Sequence, residues 1–295
     1  MNRVRNFEFF TLIVVSAILW WRSLAFDLNL ALNSDAHTYI LLILPLSLGL
    51  IYLGRIESSS IVRREWRSGL VITGAALALH LLAGWNVFHL SESSNLSLNV
   101  AALVTFWIGS VILCFGIRTF QTHLFALCFL FLIVPMSEHT VGCVTEFLQQ
   151  KSAWASAVLF RAAGVPVTRD GVMLSIPGLD IEVATECSSI RSSTILMVMT
   201  LMLGQLFLRS WWRKTLLVLV STALAVAKNA IRIFTIAELG TRVDPGYLDG
   251  KLHHQGGIIF FAIAVLGVVV LLWLLRRNEI RYVEATPAAA QVGSA

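Results

Sequence analysis

A chain of 295 residues that is 57% hydrophobic and only 13% charged, with a mean hydropathy of +0.79, lies outside the range of soluble globular domains. It reads as an integral membrane protein, and its net charge of +5 is scattered in twos and threes of Lys and Arg between apolar runs, a pattern that encodes topology and argues against nucleic-acid binding. Four cysteines without a short paired spacing argue against a disulfide scaffold or a zinc site, so neither metal nor cofactor is expected.

In chain order, Arg3 and Arg5 precede an apolar run at 9–26 that imitates a secretory signal. Trp20-Trp21-Arg22 stands where a small-residue cleavage site would be needed, so the run is read as a retained first span. A second span at 38–54 contains Pro45 and leads into Arg55, Arg63, Arg64 and Arg67. A third, 69–88, carries His80, which is expected to make an interhelical hydrogen bond because no second metal-binding residue stands at helical spacing. Spans four and five follow at 98–117 and 119–136. Between 141 and 163 apolar residues mix with Glu146, Gln149, Gln150, Lys151 and Arg161, which predicts an amphipathic helix along the outer interface that does not cross.

From Val165 to Val183 the apolar period changes to two. Asp170-Gly171 and Pro177-Gly178 mark turns between Val167, Val172, Leu174, Ile176 and Ile181, which predicts a small β-hairpin or meander. It delivers the chain to a sixth span, 187–208, or is a mere connection. The seventh span, 215–237, holds Lys228, Asn229 and Arg232, and the eighth, 256–275, begins after His253 and His254. Taken together this is an all-α polytopic membrane protein of about eight transmembrane helices, with the small extracytoplasmic amphipathic helix and β-hairpin before the sixth. A single membrane domain covers 1–281, and 282–295 is expected to be a disordered tail.

Arg55 to Arg67, Arg209 with Arg213 and Lys214, and Arg276 with Arg277 and Arg281 cluster in short loops, whereas the basic residues of the opposite side are spread singly. The positive-inside pattern then places both termini in the cytoplasm of a multi-pass protein of the cell (inner or plasma) membrane. Cys187, Arg232 and His253/His254 come to the outer face on three different helices.

Cysteine is usually a small buried hydrophobe, and Cys114, Cys128 and Cys143 keep that reading. Cys187 differs. It stands beside Glu186 at the start of a span, where unpaired N–H groups favour thiolate, and Arg191 lies one turn on along the same face. Lys228 and Arg232 also share a face, and cations within a membrane default to function, although Arg232 could instead snorkel outward. A thiol, an imidazole and a guanidinium at one membrane face are the parts of acyl transfer: nucleophile, proton shuttle and oxyanion stabiliser.

Three blocks within 135–261 make the chain resemble the exosortase/archaeosortase family of membrane cysteine enzymes. They are Val183 through Cys187-Ser188, Asn229-Ala230-Ile231-Arg232, and His253-His254-Gln255-Gly256-Gly257 with Phe261 beyond. Ser189 replaces the family's usual Gly and Ile258 a frequent Trp, departures that bear on the substrate signal. The resemblance implies a transpeptidase or protease that cleaves secreted proteins near a C-terminal signal of motif, transmembrane helix and basic cluster. In that scheme Cys187 attacks, Arg232 holds the oxyanion and His253 protonates the leaving amine, with His254, Arg191, Asn229, Lys228 and Glu186 in support. His253 is preferred over His254 because it keeps three residues before Gly257. The acceptor is an amine, a hydroxyl or water, and an extracellular polysaccharide or lipid is a candidate. A transporter with an intramembrane cationic site and a non-catalytic membrane scaffold are the alternatives from other classes, although no repeat relates the two halves.

Overall fold

The computed structural model describes residues 2–54, 66–85, 87–183, 190–244, 246 and 257–292. The chain divides into two units, Met1–Val141 and Gly142–Ala295. Among the described residues five helices are long and apolar enough to cross a membrane, or up to seven if each of two pairs joined at a short break is one span, against the about eight expected. Many large apolar side chains face outward, among them Leu70, Val71, Leu219, Ile263 and Leu266. That inversion of the soluble pattern is what a lipid solvent allows.

In the first unit α1 (Asn2–Leu19) and α2 (Trp21–Asn33) meet at 76°, so the single straight run expected at 9–26 is broken. The cause lies at Trp20, which is fully buried and donates its Nε1–H to Asn99 O at 3.0 Å. Bending there lets the indole keep a partner inside the unit. Trp20 also stacks on His80, with ring centroids 4.2 Å apart, and His80 Nδ1 lies 2.7 Å from Asn99 Oδ1. The histidine of the third span is therefore held by an interhelical hydrogen bond.

The helix α3 (Ile40–Gly54) is apolar throughout but short. Beyond it α4 (Trp66–Gly84) lies against α5 (Glu92–Phe115) so closely that a Cβ on Gly69 would stand 2.5 Å from Leu113 Cα. The fifth expected span, 119–136, is not one helix. It is divided into α6 (Ile117–Thr122), α7 (Leu124–Phe129) and a 3₁₀ turn (Leu130–Ile133), after a helix break at Gly116 with φ of 85°. Hydropathy registers the apolar run but not these breaks, because Gly116 and His123 interrupt the backbone without lowering the average much.

The second unit begins in α8 (Glu138–Ala162), continues through a three-stranded antiparallel sheet and ends in three long helices. The strands β1 (Thr168–Asp170), β2 (Met173–Ile176) and β3 (Leu179–Glu182) pair in sequence order, Arg169 opposite Leu174 and Leu174 opposite Ile181. Gly171 and Gly178, at φ of 58° and 83°, make the two turns possible. Leu174, Ile176 and Val183 are buried against Ala153, Ala157 and Phe160 of α8.

The helices α9 (Ile190–Phe207), α10 (Trp211–Arg242) and α11 (Gly257–Val292) share a core of Leu196, Leu217, Ala225, Ala264 and Val268. Where α9 hands over to α10, Glu279 of α11 accepts from Arg209 N at 3.1 Å and Ser210 N at 2.8 Å and pairs with Arg213 at 3.5 Å. A carboxylate at a helix N-terminus satisfies orphan donors and opposes the positive end of the dipole. Trp211 and Trp212 stand exposed beside these basic residues, as at a membrane–water interface.

Candidate functional site

The charged block of α10 is the centre of the second unit. Lys228 and Asn229 are 5% and 2% exposed, and Arg232, one turn further on, is half-buried. Lys228 Nζ donates to Ser192 Oγ of α9 at 2.7 Å. Asn229 Nδ2 donates to Ser152 Oγ of α8 at 2.9 Å, and Ser156 Oγ donates to Ala230 O at 3.4 Å. Consecutive residues of one helix thus grip two different neighbours, because successive side chains on a helix point about 100° apart.

These contacts give the segment 141–163, expected as an amphipathic helix, a packed face. The segment is helical, but its buried face is Leu148, Ser152, Ala153, Ser156, Ala157 and Phe160, and contacts advance together along α8 and α10 from Ser152–Asn229 to Phe160–Phe234, whose ring centroids are 5.0 Å apart. An interfacial helix turns its polar face to water. Here the small hydroxyls turn to α10, while Phe147, Trp154 and Val158 face outward with Glu146, Gln150 and Lys151. Small residues let two helices approach, and hydroxyls satisfy the buried amide between them.

The sheet brings the chain to the same place. Val183, 1% exposed, lies in one core with Ile233, the neighbour of Arg232, and its carbonyl accepts from Gln149 Nε2 at 2.8 Å. Arg191 is the second residue of α9 and exposed, next to Ser192. Glu186, Cys187, His253 and His254 lie outside the described residues. Of the expected site, therefore, Lys228, Asn229 and Arg232 are placed on α10, and the two ends of the 184–189 segment flank them.

An open-sided cavity of about 250 Å³ lies among α8, α9 and α10, one turn along from this polar layer. Val144, Phe147, Leu148, Met197 and Ala225 line it together with Cys143, Ser193, Thr194, Ser221 and Thr222. Cys143 is exposed there, Cys128 is likewise exposed, and Cys114 is buried.

Sequence reasoning missed Gln149, Ser152, Ser156 and Ser192 as parts of this site. A signal did exist. Gln149, Ser152 and Ser156 recur at i, i+3 and i+7, one helical face, and Ser192 follows directly on Arg191.

Apolar helices with an exposed lipid-type surface, together with a buried polar cluster at Lys228 and Asn229, are the pattern of a polytopic membrane protein. The family profile for transmembrane exosortases (Exosortase_EpsH) matches residues 20–273. The chain belongs to the transmembrane exosortase family. No curated protein and no solved structure matches it.

Proposed function

We propose that the chain is a membrane-embedded cysteine transpeptidase or protease that cleaves the C-terminal sorting signal of secreted proteins at the extracytoplasmic face. The observation that supports this reading is that Arg232 lies on α10 one turn from Lys228 and Asn229, which bond to α9 and α8, and next to Ile233, which shares a core with Val183. The Cys187 thiolate attacks the scissile carbonyl, and the C=O electron pair moves onto oxygen, where the Arg232 guanidinium stabilises it. Collapse breaks the C–N bond, and His253 supplies the proton that lets the amine leave with the transmembrane helix. An amine, a hydroxyl or water then attacks the thioester and releases the thiol. Extracellular polysaccharide or lipid would supply a hydroxyl at that face.

The test is capture of the thioester. Membranes carrying the protein and a secreted reporter that ends in motif, helix and basic cluster are quenched in acid, and the adduct is mapped by mass spectrometry. A hydroxylamine-labile acyl group on Cys187 is expected. Reporter cleavage with an adduct on another residue, or by a Cys187→Ala protein, would overturn the assignment.

A further inference from the structure

Two hydrogen bonds of the second unit, neither made by a residue given a chemical step, hold residues on either side of the segment that carries Cys187, and a third joins the two helices that make them. At its entry Gln149 Nε2 of α8 donates to Val183 O at 2.8 Å, and the Val183 side chain is buried with Phe160, Leu174 and Ile233. Past its exit Lys228 Nζ of α10 donates to Ser192 Oγ at 2.7 Å. The third bond, Asn229 Nδ2 to Ser152 Oγ at 2.9 Å, ties α8 to α10. Ser152 is one helical turn from Gln149, and Asn229 directly follows Lys228. The anchors at entry and exit therefore belong to one cross-linked pair of helices.

Lys228 is 5% exposed and its ammonium is engaged by Ser192 inside the protein, whereas a snorkelling lysine extends its ammonium to water. Such a cation is costly within a membrane and needs a compensating purpose. We infer that Gln149 and Lys228, joined through Ser152 and Asn229, form a positioning frame that fixes Val183 and Ser192, the described residues on either side of the Cys187 segment. The catalytic consequence rests on the reading of Cys187 as nucleophile; the frame itself rests on the hydrogen bonds. Fixing both ends of a short segment removes most of its freedom before substrate arrives, and a reacting atom displaced by about 1 Å can cost on the order of 10²-fold in rate.

The experiment uses the full-length chain in native membranes with Cys114, Cys128 and Cys143 replaced by alanine. It measures kcat and KM on the secreted reporter and, separately, the rate of Cys187 alkylation by N-ethylmaleimide across pH. Gln149→Leu and Ser192→Ala should each lower kcat by about tenfold with KM within about twofold, and each should shift the alkylation profile. Ser192→Thr keeps the hydroxyl and should restore most of the turnover. The double variant should lose less than the product of the single losses, since a segment loose at one end gains little by release at the other. Parental turnover and parental alkylation in both single variants, at matched protein level, would overturn the frame. Equal loss in Ser192→Ala and Ser192→Thr would also overturn it, since the hydroxyl would then not be the working group. Processing by a Cys187→Ala protein would sink the nucleophile reading alone, because the alkylation profiles still decide the frame.

Discussion

Arg232 and Lys228 carry the same charge one turn apart on α10, yet their surroundings divide the work between them. Lys228 is buried against Ser192, whereas Arg232 is half-buried. A guanidinium presents planar N–H donors from a fixed position, and an ammonium is a mobile point charge. Arg232→Lys should therefore lower turnover by about 10²–10³-fold despite the conserved charge. Lys228→Met should cost less, because it loosens an anchor without removing the oxyanion donor. The two are compared in one turnover assay in membranes at matched protein level, and equal losses would make Arg232 a structural cation. Among the thiols, Cys187→Ala and Cys187→Ser should abolish processing with insertion intact, while Cys114→Ala, Cys128→Ala and Cys143→Ala should leave it. The Cys143 arm is the informative one, since that residue is exposed and lines the cavity.

At the scale of elements, glycine has opposite meanings at two positions of one helix. A Cβ at Gly69 would meet Leu113 backbone atoms at 2.5 and 2.6 Å, whereas one at Gly74 meets nothing within 4 Å. Gly74→Ala should stabilise α4 by up to about 1 kcal/mol through helix propensity. Gly69→Ala should destabilise the α4–α5 pair by about 1–3 kcal/mol, because backbone cannot yield as a flexible side chain does. Thermal unfolding in mild detergent should move the two melting points in opposite directions, and a shared rise would show that α4 and α5 separate easily. The Glu279 cap gives a second case. Glu279→Ala removes the acceptor for Arg209 N and Ser210 N and the partner of Arg213. A loss of about 1–2 kcal/mol is expected in the same assay.

For the whole molecule, orientation is the open physical quantity, and basic residues set its expected sign. Single cysteines at Glu92 and Asp170, in a chain cleared of its native ones, should react with a membrane-impermeant maleimide in intact cells. Cysteines at Arg209 and Arg277 should react only after permeabilisation. Labelling of Arg277→Cys in intact cells would put the C-terminus outside and leave an odd number of crossings, with the 15-residue α3 as the first helix to exclude from the count.

What was legible in the chain was whatever is written locally. Hydropathy carried the membrane class and most of the helices; the three short blocks at 183–188, 229–232 and 253–257 carried the family; alternation and turn residues at Asp170-Gly171 and Pro177-Gly178 carried the sheet; Lys228, Asn229 and Arg232 stood out as charge and amide in an apolar run. The break at Trp20 and the division of 119–136 were not legible, because a bend answers to distant partners such as Asn99 rather than to the average polarity of its own window. The same reason hid the frame. Gln149–Val183, Lys228–Ser192 and Asn229–Ser152 join residues 34, 36 and 77 positions apart, and a hydrogen bond of that separation leaves no period in the sequence. The sequence by itself determined which residues carry charge in an apolar chain and which segments form helices. Only the tertiary structure decided which serines and which glutamine complete the polar layer, because helix packing chooses one face among several that the local pattern leaves equally open.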